Sequence, residues 1–368
     1  MRWVVFGLSV SSSWGNGHAT LWRGLVAALA RAGHHVTFFE RDQPWYAAHR
    51  DLHALPGGEL VLYRDPAELR RRAEVALSGA FVGMVTSYCP DGADAAGWLL
   101  ASSARVKAFY DLDTGATLEL ARTGLPVPWL PPRRLRDFDL VLSFTGGAAL
   151  DELRSRLGAR RVAPLYGFVD PSVHQPAPPA EAFRGDLSYL GTFAPSRQAA
   201  LEELFLRPAA LRPDRRFVLA GSMYGDDFPW RENLRFVRHL EPALHPAFFC
   251  SSPLTLSVTR AEMKALGHCP SGRLFEAAAC GVPVVSDWFD GLDEFFTPGE
   301  ELLVARRAED VVAAIDRPAA ELRRIGQRAR ERALAEHGAE ARARELVAHC
   351  QAALAGDGRG SSHAEWRV

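Results

Sequence analysis

The stretch SGRLFEAAACGVPVVSD, Ser271 to Asp287, reads as a short helix joined to a buried strand by one glycine. Ser271 is of the type that caps a helix, and the helix it opens is expected to run from Gly272 to about Cys280. A helix N-terminus offers unpaired backbone N–H groups and the positive end of the macrodipole, which suits a diphosphate. Arg273, in the first turn, reaches the same anion with paired donors. Glu276 follows three residues on, near the same face, where a carboxylate can accept from two vicinal ribose hydroxyls. Gly281 ends the helix, and Val282 to Val285 reads as a strand buried on both faces. The competing reading is a capped core helix with Glu276 merely exposed. An unpaired glutamate ahead of the small run Ala277 to Ala279 favours the functional reading.

Outward from this segment the same strand–loop–helix plan repeats. Strands are expected at Trp3–Leu8, Val36–Phe39, Leu60–Tyr63, Phe81–Thr86, Val106–Tyr110, Leu140–Phe144 and Val162–Leu165. A second series falls at Leu187–Leu190, Phe217–Ala220, Leu254–Val258 and Leu302–Val304. Between the two series lies GFVDPSVHQPAPP, Gly167 to Pro179, with four prolines and no helical pattern. The expected organisation is two Rossmann-like domains, residues 1–166 and 183–336, joined by a linker at 167–182. A C-terminal helix at 337–355 and a flexible tail at 356–368 follow. The fold class is α/β, with two parallel sheets facing a cleft. Ligands of open α/β sheets bind beyond the carboxyl ends of the strands, so the loops after strands are where chemistry is sought.

The chain has 368 residues, 43 basic against 44 acidic, and hydrophobic residues make up 48%. That balance excludes a global field for nucleic acid. Of the 43 basic residues 41 are arginine; the two lysines are Lys107 and Lys264, neither in a GxxxxGK[ST] run, so no phosphate loop of that type exists. The five cysteines show no metal-ligand spacing and read as reduced thiols of a cytoplasmic protein. No stretch approaches the roughly 18 apolar residues of a membrane-spanning helix.

FEAAACGVPVVSD resembles the nucleotide-binding segment of the GT-B glycosyltransferases, and within that fold the chain resembles the CgeB-like family. The likeness runs through SSSWGNGHAT (Ser11–Thr20), SYCPDG (Ser87–Gly92), FYDLDT (Phe109–Thr114), SFTGG (Ser143–Gly147), YLGTFAPSRQ (Tyr189–Gln198) and LSVTRAEM (Leu256–Met263). It implies a GT-B fold whose C-terminal helices pack back on the N-terminal domain, and glycosyl transfer from a nucleoside-diphosphate sugar without a metal. It also implies that Glu276 holds the donor ribose and that His239 falls where the nucleobase is gripped. Related retaining enzymes carry a second glutamate eight positions before the ribose-binding one; here that position is His268, and the segment His268-Cys269-Pro270-Ser271 is expected to meet the donor sugar by other groups, such as backbone amides. Many relatives clamp the diphosphate with an arginine and a lysine together, whereas this chain is expected to use arginines and helix-end amides.

Further candidates sit after strands. Gly15-Asn16-Gly17-His18 opens the first long helix; the glycines let backbone approach a phosphate or sugar, and His18 is either a general base or a packing residue. Asp113, then Asp111, in YDLDT are candidates for the base or for holding the acceptor, with Asp113 as a helix cap the alternative. Gly191, Thr192 and Gly221 are expected to line the donor site, and Arg197, Arg260 and Arg273 to meet its phosphates. The expected function is a cytoplasmic, metal-independent glycosyltransferase with an unassigned acceptor, either monomeric or homodimeric. Two alternatives stand beside it, a nucleotide-sugar epimerase and a non-catalytic nucleotide-sugar-binding protein.

Overall fold

The structure is a computed structural model that describes residues 1–356. The expected tail, 356–368, therefore lies outside the described residues apart from Gly356. Seven parallel strands form the first sheet: β1 Arg2–Gly7, β2 His35–Arg41, β3 Gly58–Tyr63, β4 Val82–Thr86, β5 Val106–Asp111, β6 Leu140–Ser143 and β7 Val162–Pro164. Their order is β3-β2-β1-β4-β5-β6-β7. Six parallel strands form the second sheet: β8 Leu187–Leu190, β9 Phe217–Gly221, β10 Leu234–Arg238, β11 Thr255–Ser257, β12 Val284–Asp287 and β13 Leu303–Ala305, in the order β10-β9-β8-β11-β12-β13.

The continuous apolar runs explain the central strands. Trp3 to Phe6, Ala108 to Tyr110 and Phe217 to Ala220 are buried because helices cover both faces of each sheet. β10 was not among the expected strands. It is an edge strand paired only with β9, and in LRFVR both arginines are exposed, so its half-solvated face breaks the run a reader looks for. β12 starts two residues later than expected. Pro283 has no N–H for the ladder and instead accepts from Thr255 through its carbonyl, at 3.2 Å.

In both sheets the strand order reverses, between β1 and β4 and between β8 and β11. Each reversal leaves a crevice at the carboxyl ends of the strands. The chain after β13 is not one continuous helix: Ala308–Ile315, Ala319–Glu336 and Ala339–Gly356 are separated near Pro318 and Gly338. At the second break Val169 donates to His337 O (2.9 Å) and accepts from Ala339 N (2.9 Å), pinning the chain between the sheets. The helix Ala339–Gly356 then joins the first domain: Ala343, Leu346, Cys350 and Ala353 pack in one core with Trp3, Trp22 and Leu25. Arg342 reaches Gly167 O at 3.2 Å, so the proline-rich connection is fastened to this helix. No described helix is long and apolar enough to cross a membrane.

Gly221 closes β9 at φ +157, and a Cβ there would stand 2.0 Å from Gly191 O. Two strand ends thus cross at backbone contact, directly beneath the cleft. Gly221→Ala is expected to lower stability by about 2–3 kcal/mol, read as a fall in denaturation midpoint.

Candidate functional site

A cleft of about 540 Å³ lies between the two sheets, a size suited to a small-molecule ligand. From the first domain it is lined by Gly15, Gly17, His18, Tyr88 and Asp113; from the second by Gly191, Thr192, Arg197, Gly221, His239, Arg260, Ser271, Arg273 and Glu276. Apart from Asp111 and His268, every residue singled out from the sequence as a site candidate borders this one space.

The first-domain side is built around a histidine–carboxylate pair. His18 begins the helix His18–Arg31, and Asp113 follows β5; the fold brings His18 Nε2 to 2.7 Å from Asp113 Oδ2. Asp113 stands at the cap position of the helix Thr114–Arg122 but makes no side-chain cap bond, so the capping alternative is excluded. Ser87, after β4, also approaches its Oδ2, at 3.4 Å, and Arg260 approaches Oδ1 from across the cleft at 3.7 Å. Burial pushes the Asp113 carboxyl up, but His18 and Arg260 outweigh burial and hold it below the ordinary carboxylate range. It therefore stays ionised. His18 Nδ1 is covered and has no partner.

Asp111 does not share this role. β5 ends at Asp111, whose side chain is wholly buried, accepts from Thr117 Oγ1 (3.0 Å) and Asp113 N (3.2 Å), and does not border the cleft. Residues two apart share one side of a strand only while the strand continues, and β5 stops at Asp111. Burial, with the Asp113 charge adding to it, pushes the Asp111 carboxyl up to about 7. A carboxyl raised on folding keeps its proton in the folded state after the unfolded chain has lost it. Its contribution is therefore full below the unfolded pKa and is lost as pH rises through about 7. The melting temperature of Asp111→Asn relative to wild type is expected to rise between pH 5 and pH 8; a difference independent of pH would contradict this.

The second-domain side gathers positive charge. Arg197 NH1 donates to Thr192 O (3.0 Å), while its Nε is buried without a partner. Arg273 lies with its guanidinium 5.4 Å from the centre of the Tyr189 ring, and its NH1 is buried without a partner. Burial first, and also the charge of Arg197, push the Arg273 pKa down from its ordinary value. Two neighbouring guanidiniums with spare buried N–H groups form a site made for an anion. Ser271 heads the helix Gly272–Ala279 but makes no side-chain cap bond, so the expected cap is corrected to a hydroxyl left free at the cleft. Arg260 borders the same cleft and approaches Asp113 from the opposite domain. Glu276 is largely covered, with Oε2 4.0 Å from His245 Nδ1. His239 lies at the end of β10 in the left-handed region (φ 47); burial pushes its pKa down.

Neither lysine borders the cleft: Lys264 Nζ reaches Asp287 at 3.2 Å and Lys107 Nζ donates to Leu100 O. His268, where related enzymes have a glutamate, does not border it either. Its ring meets Glu294 at 3.0 Å and packs at Gly147 and Gly291, and its carbonyl accepts from Gly146 N at 2.9 Å. The expectation that this segment meets the donor sugar is replaced, for His268, by a contact that joins the two domains.

Several cleft residues escaped the sequence reading. Tyr88 adopts φ 58, is exposed, and stacks on Trp129 with ring centres 4.3 Å apart and its edge towards His18. His174, in the proline-rich connection, and His245 are almost wholly buried at the cleft wall, and burial pushes each down to about 4, so both are neutral near pH 7. Proline flanks both segments, in His174-Gln-Pro176 and His245-Pro246, and was their only signal.

A family profile described as glycosyl transferase-like matches residues 197–348, so the chain carries a glycosyl transferase-like domain there. No protein of curated function matches the sequence. Among solved structures, sucrose-phosphate synthase from Thermosynechococcus elongatus is similar with a TM-score of 0.69 and 17% identity, over 97% of this chain and 100% of that one. The Anabaena protein HepE in complex with UDP-glucose has a TM-score of 0.64 and 13% identity, over 95% of this chain and 99% of that one. An E. coli trehalose-6-phosphate protein bound with UDP-2-fluoro glucose gives 0.61 and 14%, over 95% and 99%. The fold is that of the GT-B glycosyltransferases.

Proposed function

We propose that the protein is a glycosyltransferase that moves a sugar from a nucleoside-diphosphate sugar to an acceptor hydroxyl. The observation that carries this reading is the confrontation across one cleft of an anion-ready arginine pair with a histidine–carboxylate pair. On the donor side Arg197 and Arg273, with Ser271 and the helix end behind it, take the diphosphate, and Glu276 takes the ribose. His239 faces the nucleobase. The similar structures solved with UDP-glucose and UDP-2-fluoro glucose favour uridine as the nucleoside.

On the acceptor side His18 is the base and Asp113 the residue that positions it. The ionised Asp113 accepts the Nε2 proton, which leaves Nδ1 to take the acceptor proton once the acceptor has displaced what covers it. The acceptor oxygen bonds to the anomeric carbon, the bond from that carbon to the diphosphate breaks, and the departing charge falls on Arg197 and Arg273. The assignment to the CgeB-like family, hexosyl transfer without a metal, a cytoplasmic location and a monomer or homodimer belong to the same proposal.

The test is calorimetry with UDP, thymidine diphosphate and guanosine diphosphate, followed by their sugars. One diphosphate should bind well above the others; no binding by any would overturn the reading. Arg273→Lys is expected to weaken that binding about 10- to 100-fold, because a lysine gives a point charge in place of a planar fork in a covered site.

A further inference from the structure

Beside Glu276, the proposed ribose carboxylate, the cleft wall holds two histidines whose bonding is incomplete. His174 is 1% exposed, is held through its backbone N on Asp170 O (2.9 Å), and has no partner on either ring nitrogen. A neutral imidazole always carries one donor and one acceptor, so both are stranded, at about 1–3 kcal/mol for each buried unsatisfied group. His245 is fixed more tightly. Its Nε2 meets Leu240 O at 3.3 Å, and a carbonyl only accepts, so Nε2 carries the proton and Nδ1 the lone pair. That lone pair faces Glu276 Oε2 at 4.0 Å with no hydrogen between them. Two electron-rich atoms held face to face repel unless a cation or a donor group joins them.

We propose that His174, His245 and Glu276 form a binding site for a divalent transition-metal ion, best matched by Zn²⁺, and that this ion competes with the nucleotide for Glu276. The candidate ligand atoms of the three residues all lie within 4.8 Å of one another. Two imidazoles and one carboxylate with a fourth position open is an established donor set for zinc, and imidazole selects such ions over magnesium or calcium. With metal–ligand bonds of about 2.0–2.1 Å, tetrahedral ligand atoms stand about 3.4 Å apart, so the cluster closes on the ion by small side-chain rotations. The Leu240 carbonyl on His245 is the outer contact that orients an imidazole ligand towards its metal. Three separate segments supply the ligands: the connection between the sheets, the helix His245–Cys250 and the helix Gly272–Ala279. All three residues border the cleft, which gives the ion its path in.

The competition rests on the proposed role of Glu276 at the donor ribose. An ion on Glu276 takes part of the carboxylate's lone pairs and draws charge from the rest, so the ribose hydroxyls are held less well, and by linkage bound nucleotide must weaken the ion equally. The expected metal-independence concerns the transfer itself, and an ion here would be held by His174, His245 and the proposed donor-binding carboxylate, none of which is His18 or Asp113.

The full chain, stripped with chelator, is titrated with Zn²⁺ by calorimetry and with Co²⁺ by visible absorption. One ion per chain with a four-coordinate imidazole–carboxylate spectrum is expected. A thiolate-to-cobalt charge-transfer band would put the ion on cysteine and overturn the proposal, as would no binding. UDP is then titrated with and without Zn²⁺. The apparent UDP Kd should rise at least 10-fold with Zn²⁺ in wild type and by a factor near one in both His174→Ala and His245→Gln. Zn²⁺ held by UDP itself acts on all variants alike, so the ratio between variants isolates the site. Equal ratios in all variants, or Zn²⁺ that tightens UDP, would overturn the competition. If UDP fails to bind the metal-free protein, the donor reading falls, while the cobalt spectrum still decides the metal site.

Discussion

His18→Ala is expected to lower kcat about 1,000-fold at saturating donor, the middle of the range for loss of a positioned general base. Affinity for UDP should stay within about two-fold, because the residue stands across the cleft from the phosphate-facing arginines. The argument rests on Asp113. Its carboxyl remains ionised despite burial and is occupied by His18 at 2.7 Å, so it orients a base without being a good one. Asp113→Asn should also lower kcat, and the double variant should be scarcely worse than His18→Ala, since the two act as one unit. Full turnover in both single variants would remove the pair from the mechanism.

Glu276→Ala is expected to weaken UDP about 100-fold. Hydrogen bonds to a charged acceptor are worth about 1.5–3 kcal/mol each, and a carboxylate that takes two ribose hydroxyls loses both. Uridine, which lacks the phosphates, should lose a similar factor, whereas inorganic diphosphate should lose none. That pattern separates a ribose contact from a general collapse of the pocket. A loss shared equally by diphosphate would assign Glu276 to holding the helix in place.

Much of this architecture was legible along the chain. Continuous apolar runs mark strands buried on both faces, and glycines mark the ends of helices, so two parallel sheets followed from local pattern. β10 escaped because an edge strand carries arginines on its open side. That Arg273 and Glu276 come to the cleft together was legible as well, since they share one helix and lie one turn apart. The status of Asp111 and Asp113 was not. A single residue, Leu112, separates them, yet one is sealed in the core at the strand's end and the other turns into the cleft. Strand termination decides this: Asp111 is the last residue of β5, opposite Ser143 of β6, and the chain turns after it.

The sequence by itself determined the fold class, the strand-end loops and the helix that carries Arg273 and Glu276, because each of these depends on neighbours only a few residues apart. Only the tertiary structure decided the pairing of His18 with Asp113, 95 residues away, and the facing of His174, His245 and Glu276 from three segments. It also turned His268 from a donor-site substitute into a contact between domains. The reason is physical: side chains gain or lose partners through contacts between strand ends and helices, and no spacing along the chain encodes which ends will meet.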